Sequence, residues 1–407
     1  MDCRHCSKPL ETTVADLGTS PPSNAYLREE DLAKPEATFP LRVLVCTDCW
    51  LVQTEDFVRA GLMFSDDYAY FSSFSTTWVE HAKAYVKAMI DRFELTPEDM
   101  VVEVAANDGY LLQFVQEAGI QCCGVEPTHG TAEAARSKGV EIVEEFFGVA
   151  CATTMIASHR ASLMAANNVL AHVPDINDFV RGFALLLAPN GVATFEFPHL
   201  LNLITHNQFD TIYHEHYSYL SLTAVTAVFE TNGLSVFDVE QIPTHGGSLR
   251  VFAQRSDTGA RPVGPAIGRL LEEETTAGVT TADFYAQLQT NAERIKNELL
   301  RFLEQAKTER KLVAGYGAAA KGNTMLNFAG VDGESIAFVV DRNPEKVGRY
   351  LPGSHIPVVE EEILRQQRPD YVVILPWNLE SEIREQLAYV AEWGARFVTA
   401  VPELTIH

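Results

Sequence analysis

The 407-residue chain contains no apolar run approaching the roughly 18–20 residues of a membrane span, so a membrane-embedded protein is not expected. Its first residues, MDCRHCSKPL, lack the basic start and apolar core of a secretion signal, and the plain expectation is a cytoplasmic location. Positive charge is scarce: 31 Lys and Arg stand against 55 Asp and Glu, for a net charge of −24. Such a field repels polyphosphate backbones and anionic lipid, so neither nucleic acid nor a membrane is an expected partner. A small anionic ligand is still compatible, because a local pocket of donors can oppose the global field. Seven cysteines are too few and too unevenly placed for a disulfide scaffold. Short-period repeats and low-complexity tracts are absent as well.

Apolar residues at 46% suffice for full cores, and the length calls for two or three domains. The first segment, residues 1–58, has few helical periods, turn-rich stretches such as TSPPSNAY, and two cysteine pairs. The second, residues 59–260, carries a helical pattern near Thr77–Phe93. It then alternates short apolar runs (MVVEVAA, QCCGVEP, SLMAANNVL, GVATFEFP, SLRVFAQR) with helical ones, the signature of a parallel-sheet α/β unit. The third, residues 261–407, has a long helical pattern from about Ala282 to Thr308, then strand, glycine loop and helix in KLVAGYGAAAKGNTM. Two further strand candidates, SIAFVVD and YVVILP, make it a second, smaller Rossmann-like unit.

Cys3 and Cys6 form one C-x2-C pair, Cys46 and Cys49 another. Two such knuckles can complete a tetrahedral, four-thiolate zinc site, which leaves no open position for an activated water and is therefore structural. A redox C-x2-C and merely buried cysteines are the competing readings. Cys122, Cys123 and Cys151 lie on apolar stretches and read as core.

VVEVAANDGYLLQFV reads as buried strand, sharp turn and helix, a place where backbone can approach a ligand closely. It has one glycine, Gly109, and is not a G-x-G-x-x-G fingerprint. Glu103, Asn107 and Asp108, around Ala105, set acidic and polar groups where a pyrophosphate would otherwise sit. That disfavours a dianion and suits the cationic, amine-bearing end of S-adenosylmethionine. Glu126, ending the next strand, has the position of an acid that accepts ribose hydroxyls. Phe146, between Glu145 and Phe147, can border an adenine, and Asn167 and Asn168 end the strand candidate in SLMAANNVL. Taken singly, Glu126 could be a solvated turn acid and Phe146 a core residue.

The cysteine pairs, EVAANDG, NNVLAHVPD, YHEHYSYLS, GGSLRVF and GYGAAAKGNT occur in one order. Together they resemble the sugar C-methyltransferases of deoxysugar biosynthesis, which act on dTDP-4-keto-6-deoxyhexoses, and the likeness spans nearly the whole chain. It implies a zinc-binding N-terminal part, a class I methyltransferase core and a C-terminal Rossmann-like part. It also implies S-adenosylmethionine as methyl donor, a dTDP-linked keto-deoxysugar as substrate, and methylation at C3′, with C5′ as the alternative. By the match, His216 is the candidate base, Tyr213 a neighbouring hydrogen-bonding group and Glu215 an orienting acid. His172 would lie near the sugar, and Tyr68 (or Tyr70) would reach the site from outside the core.

The chemistry asks for such groups. A carbon beside a ketone is acidic only because its anion delocalises onto oxygen, so methylating it needs a base, a donor for the enolate oxygen and an aligned methyl. Strict strand alternation would put His214 and His216 on one face, away from Tyr213, so a shared site for Tyr213 and His216 requires a bend. HEH as a metal pair, or as polar residues satisfying a strand end, are the bland readings. In GYGAAAKGNT, the amides after Gly317 and the charge of Lys321 can hold a phosphate of the sugar donor; a nucleotide fold kept as scaffold is the other reading. Two other functions fit less of the pattern: an O- or N-methyltransferase for another small metabolite, and a non-catalytic zinc-containing nucleotide-sugar-binding protein. The oligomeric state is not set by any of these features.

Overall fold

A computed structural model describes residues 1–55 and 71–407. Among them the strands form three sheets. Tyr68 and Tyr70 lie outside the described residues.

The central sheet has seven strands, in the spatial order Leu234–Ile242, Ser248–Arg255, Leu187–Pro198, Ala161–Asn167, Met100–Val104, Gln121–Val125 and Glu141–Val143. The last five run parallel; Ser248–Arg255 pairs antiparallel with both its neighbours. From Met100–Val104 the chain goes first to one side and later to the other. A crevice therefore opens at the carboxyl end of that strand, where ligands of such sheets bind. The flanking helices are tied down by apolar stripes. In Ile176–Leu186, Ile176, Phe179, Val180, Phe183 and Leu186 recur at helical spacing and are buried. Phe183 meets Phe195 of the sheet at 4.7 Å between ring centroids, and Phe195 meets Phe229 of the next helix at 4.6 Å. Rings buried this fully contribute about 1.5–3 kcal/mol each through desolvation alone.

The N-terminal segment is more β-rich than its turn signals suggest. Thr12–Ser20, Phe39–Val45 and Val52–Thr54 pair antiparallel in sequence. The fourth strand, Ser218–Tyr219, comes from the YHEHYSYLS motif. A period-2 pattern within one segment cannot reveal a partner that lies far along the chain, so this pairing was invisible in sequence.

The C-terminal sheet has six strands, with Val313–Tyr316 beside Val339–Val340 on one side and Tyr371–Ile374 on the other. The long helical pattern before it is broken at Ala286 into Ala282–Tyr285 and Gln287–Thr308. A helix at Pro265–Ala277, started by proline at its first turn and ended by Gly278 in the left-handed region, precedes them. No described helix is long and apolar enough to cross a membrane.

Candidate active site

The strand Met100–Val104 delivers the loop Ala105–Gly109 to the crevice, and three of its residues, Ala105, Asn107 and Gly109, take positive φ. Gly109 packs against the helix His129–Ser137: a Cβ there would meet Val140 Cγ2 at 3.2 Å and Ala135 Cβ at 3.3 Å. Glu126 ends the next strand with its carboxylate fixed, Oε2 accepting from the Asn107 amide and Oε1 from the Thr128 amide, each at 3.0 Å. Burial raises its pKa against those donors.

Ala105, Asn107, Glu126 and Phe146 line one end of a cavity of about 630 Å³. Phe146 is 57% exposed, which gives an apolar face to any planar group entering there. Asn167, 8% exposed, lines the same cavity, and its buried side-chain amide has no hydrogen-bond partner among the described residues. A fixed acid, an open aromatic face and an unsatisfied amide fit the ribose, adenine and amino-acid ends of S-adenosylmethionine. Glu103, Asp108, Gly109 and Gly317 do not line the cavity. Glu103 is buried beneath the loop, where desolvation first and Asp108 and Glu126 next push its pKa well up. Asp108 Oδ2 accepts from the Ser73 amide at 3.3 Å and lies 3.4 Å from Lys138 Nζ.

At the other end of the cavity sit His172, Tyr213, Glu215 and His216. Residues 213–216 form a turn closed by the His216 amide donating to Tyr213 O at 2.9 Å. This is the bend that Tyr213 and His216 require, and it leaves their rings 3.9 Å apart, centroid to centroid. His214 points away, its Nε2 3.2 Å from the carbonyls of Phe39 and Pro40, so the described residues do not join His214 and His216 in a metal pair.

His216 Nδ1 lies 2.9 Å from Thr211 O. A carbonyl only accepts, so the proton is on Nδ1 and the Nε2 lone pair is free to take another. Burial, then the neighbouring His172, His245 and Lys321, hold His216 well below the ordinary histidine value. His172 is 4.6 Å away, centroid to centroid, and burial takes its pKa to about 4. Glu215 turns to the other side of the turn: both carboxylate oxygens accept from Asn24 Nδ2 at 2.8 Å, and burial raises its pKa to about 7.

The C-terminal segment closes the cavity. Lys321 Nζ donates to Asn378 Oδ1 at 2.7 Å and sits 4.6 Å from the centroid of the Trp377 ring, with burial lowering its pKa. Trp377 Nε1 donates to Asp210 Oδ2 at 2.7 Å. Within the glycine loop, Ala318 N is taken by Asp341 Oδ2 at 2.7 Å and Ala319 N by Gly317 O at 2.8 Å, so neither amide is open to a phosphate. Gly317 is required by packing, since a Cβ there would meet Pro376 Cδ at 2.5 Å. Asn323 and Thr324 of the same motif hold the segments together: they donate to Ser23 O at 2.6 Å and Ile212 O at 2.9 Å. Asn24, Lys346 and His245 also line the cavity and were missed in sequence. Only the two glycines that follow His245 in THGG and the turn residues around Asn24 hinted at special backbone there.

Cys3, Cys6, Cys46 and Cys49 converge with their sulfurs within 4.8 Å of one another, Cys3 to Cys49 and Cys6 to Cys46 at 3.5 Å. Tetrahedral zinc with Zn–S bonds of about 2.3 Å needs sulfurs a little under 4 Å apart, so the four residues fit that metal and fill its shell.

Strand order, the loop at the switch point and the acid ending the second strand define a class I, S-adenosylmethionine-dependent methyltransferase core, flanked by a zinc-binding N-terminal domain and a second α/β unit. A methyltransferase domain family matches residues 78–239, a zinc binding domain family residues 3–64, and a C-methyltransferase C-terminal domain family residues 243–402. C-methyltransferase NovU from Streptomyces niveus is 34% identical over 403 residues, covering 99% of this chain and 96% of its own. The chain belongs to this C-methyltransferase family. Among solved structures, magnesium protoporphyrin IX methyltransferase from Synechocystis PCC 6803 with bound SAM is 13% identical, over 50% of this chain and 100% of its own, with a TM-score of 0.36. A SAM dependent methyltransferase from Archaeoglobus fulgidus is 12% identical, over 44% and 94%, also at 0.36.

Proposed function

We propose that the enzyme methylates a carbon next to the ketone of a nucleotide-linked deoxysugar, dTDP being the expected nucleotide and C3′ the expected position, with C5′ as the alternative. The observation that carries this reading is the His216 imidazole. Its Nδ1 proton is anchored on Thr211 O and its Nε2 lone pair is free, against a phenol and a second imidazole. An O- or N-methyl transfer needs no carbon acid to be ionised, and a desolvated neutral base beside hydrogen-bonding rings suits one that does. S-adenosylmethionine, when bound, supplies an already activated methyl group, so no catalytic metal is required. His216 Nε2 takes the proton, the C–H electron pair passes into an enolate, and Tyr213 or His172 is placed to support the charge. The methyl that bound S-adenosylmethionine would supply would pass to the enolate carbon, with the thioether as leaving group. Incubation with S-adenosylmethionine and a panel of dTDP-4-keto-sugars, with NMR location of the new methyl, tests substrate and position. Methylation at oxygen or nitrogen alone would overturn the reading.

Two binding roles follow. Glu126 is proposed to accept the ribose hydroxyls through the lone pairs its two main-chain donors leave open. Glu126→Ala should weaken S-adenosylmethionine binding by about 1–3 kcal/mol, the cost of losing hydrogen bonds to a charged acceptor. Unchanged affinity by calorimetry would take Glu126 out of the site.

Lys321 is proposed to meet the diphosphate, its buried ammonium being bonded to the neutral Asn378 amide and set over the Trp377 ring, with the Asp210 carboxylate as its nearby counter-charge. Lys321→Ala should raise the sugar-nucleotide KM about tenfold or more while S-adenosylmethionine binds as before. Equal weakening of both ligands would point to a structural loop instead. Lys321 is also one of the charges that depress His216, so a diphosphate against it returns proton affinity to the base at the moment substrate arrives.

A further inference from the structure

The turn Thr244–Gly247 joins two antiparallel strands of the central sheet and belongs to none of the roles above. It is pinned on every side. Thr244 Oγ1 donates to the buried Glu196 Oε1 at 3.0 Å, and Gln208 Nε2 donates to Gly246 O at 2.9 Å. A Cβ at Gly246 would come within 2.7 Å of Trp377 Cη2, and one at Gly247 within 2.3 Å of Asn202 Nδ2. Only two glycines fit, and between this wedge and the preceding threonine His245 is held at φ 54, a left-handed conformation uncommon outside glycine. The result is an imidazole presented into the same cavity as His216 and Lys321, resting edge-on against Trp78 at 5.3 Å between centroids.

Its tautomer can be read. His245 Nε2 lies 3.1 Å from Asn168 Nδ2; with the amide in this orientation its nitrogen donates, Nε2 accepts and the proton is on Nδ1. Nδ1 makes no hydrogen bond among the described residues. Asn168, itself held at φ 55, keeps a buried Oδ1 with no partner among them. The two rings, His216 and His245, therefore offer the cavity opposite faces of the same chemistry: one a lone pair, the other an N–H.

We propose that His245 is a further catalytic residue of this site, its Nδ1–H donating to the ketone oxygen of the substrate as His216 removes the proton from the neighbouring carbon. The assignment rests on the C-methylation reading above. The electron pair left by the C–H bond ends on that oxygen, and a donor fixed there in advance stabilises charge without reorganising. Burial lowers the His245 pKa to about 4, which keeps the ring neutral and its single proton on Nδ1.

The test is exchange of the substrate proton with deuterated solvent, followed by NMR with S-adenosylhomocysteine in place of the methyl donor. His245→Gly keeps the left-handed backbone and removes the donor; it should slow exchange about 10²–10³-fold, the usual effect of losing one such donor, with a smaller change in KM. His245→Asn tolerates the same backbone and returns an N–H close to the Nδ1 position, so it should recover part of the rate. His245→Gly exchanging at the wild-type rate, or raising KM alone, overturns the proposal. Should the glycine variant fail to bind S-adenosylhomocysteine, ¹⁵N spectra of the wild-type imidazole decide. A protonated Nδ1 that shifts on addition of the keto-sugar nucleotide supports the assignment, and a protonated Nε2 overturns it. His216→Asn serves as the separate arm: wild-type exchange in that variant sinks the base reading, whatever His245 does.

Discussion

His216→Asn should lose about 10²–10⁴-fold in kcat while S-adenosylmethionine and the sugar nucleotide still bind, the range expected for removal of a positioned general base. The asparagine can keep a hydrogen bond to Thr211 O but has no basic lone pair to accept a proton. Tyr213→Phe should cost less, since the ring that packs on His216 at 3.9 Å is retained and only the hydroxyl goes. Proton exchange in the presence of S-adenosylhomocysteine separates deprotonation from methyl transfer, and wild-type exchange by His216→Asn would show that the base lies elsewhere. The pH profile carries a sign. A lowered pKa leaves the imidazole neutral and competent as pH falls through the ordinary histidine range, so the acid limb of kcat/KM should lie below that range. With a diphosphate against Lys321 one of the depressing charges is offset, and the limb seen in kcat should lie at higher pH than the limb seen in kcat/KM.

What the sequence made legible was local. The strand–turn–helix at Val101–Val115, the acid at Glu126, the paired cysteines and the glycine loop each announce themselves within a few residues, because backbone approach and metal ligation impose fixed spacings. Even the bend at Tyr213–His216 could be demanded, from strand alternation together with the shared site that the resemblance implies. What stayed hidden is long-range. Asn24 meets Glu215 across 191 positions of sequence, Asn323 meets Ser23 across 300, and Trp377 meets Asp210 across 167. No periodicity records such pairs. The glycine loop shows the limit in the other direction: its pattern suggested free amides for a phosphate, whereas Asp341 and Gly317 use two of them and Asn323 and Thr324 serve as ties between segments. His245 lay between the two, since THGG advertises unusual backbone without saying what the turn presents.

Loss of the metal site should damage the active site at a distance, and this is the largest structural effect expected. The path is short. Gln53 Nε2 donates to Cys3 Sγ at 3.3 Å, and the main chain of Arg4, next in sequence, donates to Gln53 Oε1 at 2.9 Å. The Arg4 guanidinium donates to Thr54 O at 2.9 Å and lies 4.8 Å from the centroid of the Tyr217 ring. Thr54 in turn donates through Oγ1 to His216 O at 2.7 Å and through its amide to Tyr217 O at 3.2 Å. The strand Ser218–Tyr219 is the fourth of the same sheet, so the turn proposed to carry the base is an edge of the cysteine-bearing domain as much as part of the methyltransferase core. Structural zinc contributes apparent folding free energies of about 10–16 kcal/mol in small peptides, on the scale of a whole domain's stability. Cys46→Ala should therefore abolish stoichiometric zinc and strip hydrogen-exchange protection from the amides of Val52–Thr54 and of residues 216–219. S-adenosylmethionine affinity should change little, because the Glu126 end of the cavity touches none of these strands. Methyl transfer and substrate-proton exchange should fall together, since the base and not the methyl donor has been displaced. A zinc-free variant that keeps full protection at residues 216–219 would mean that the thiolate cluster stabilises its own knuckles and nothing more.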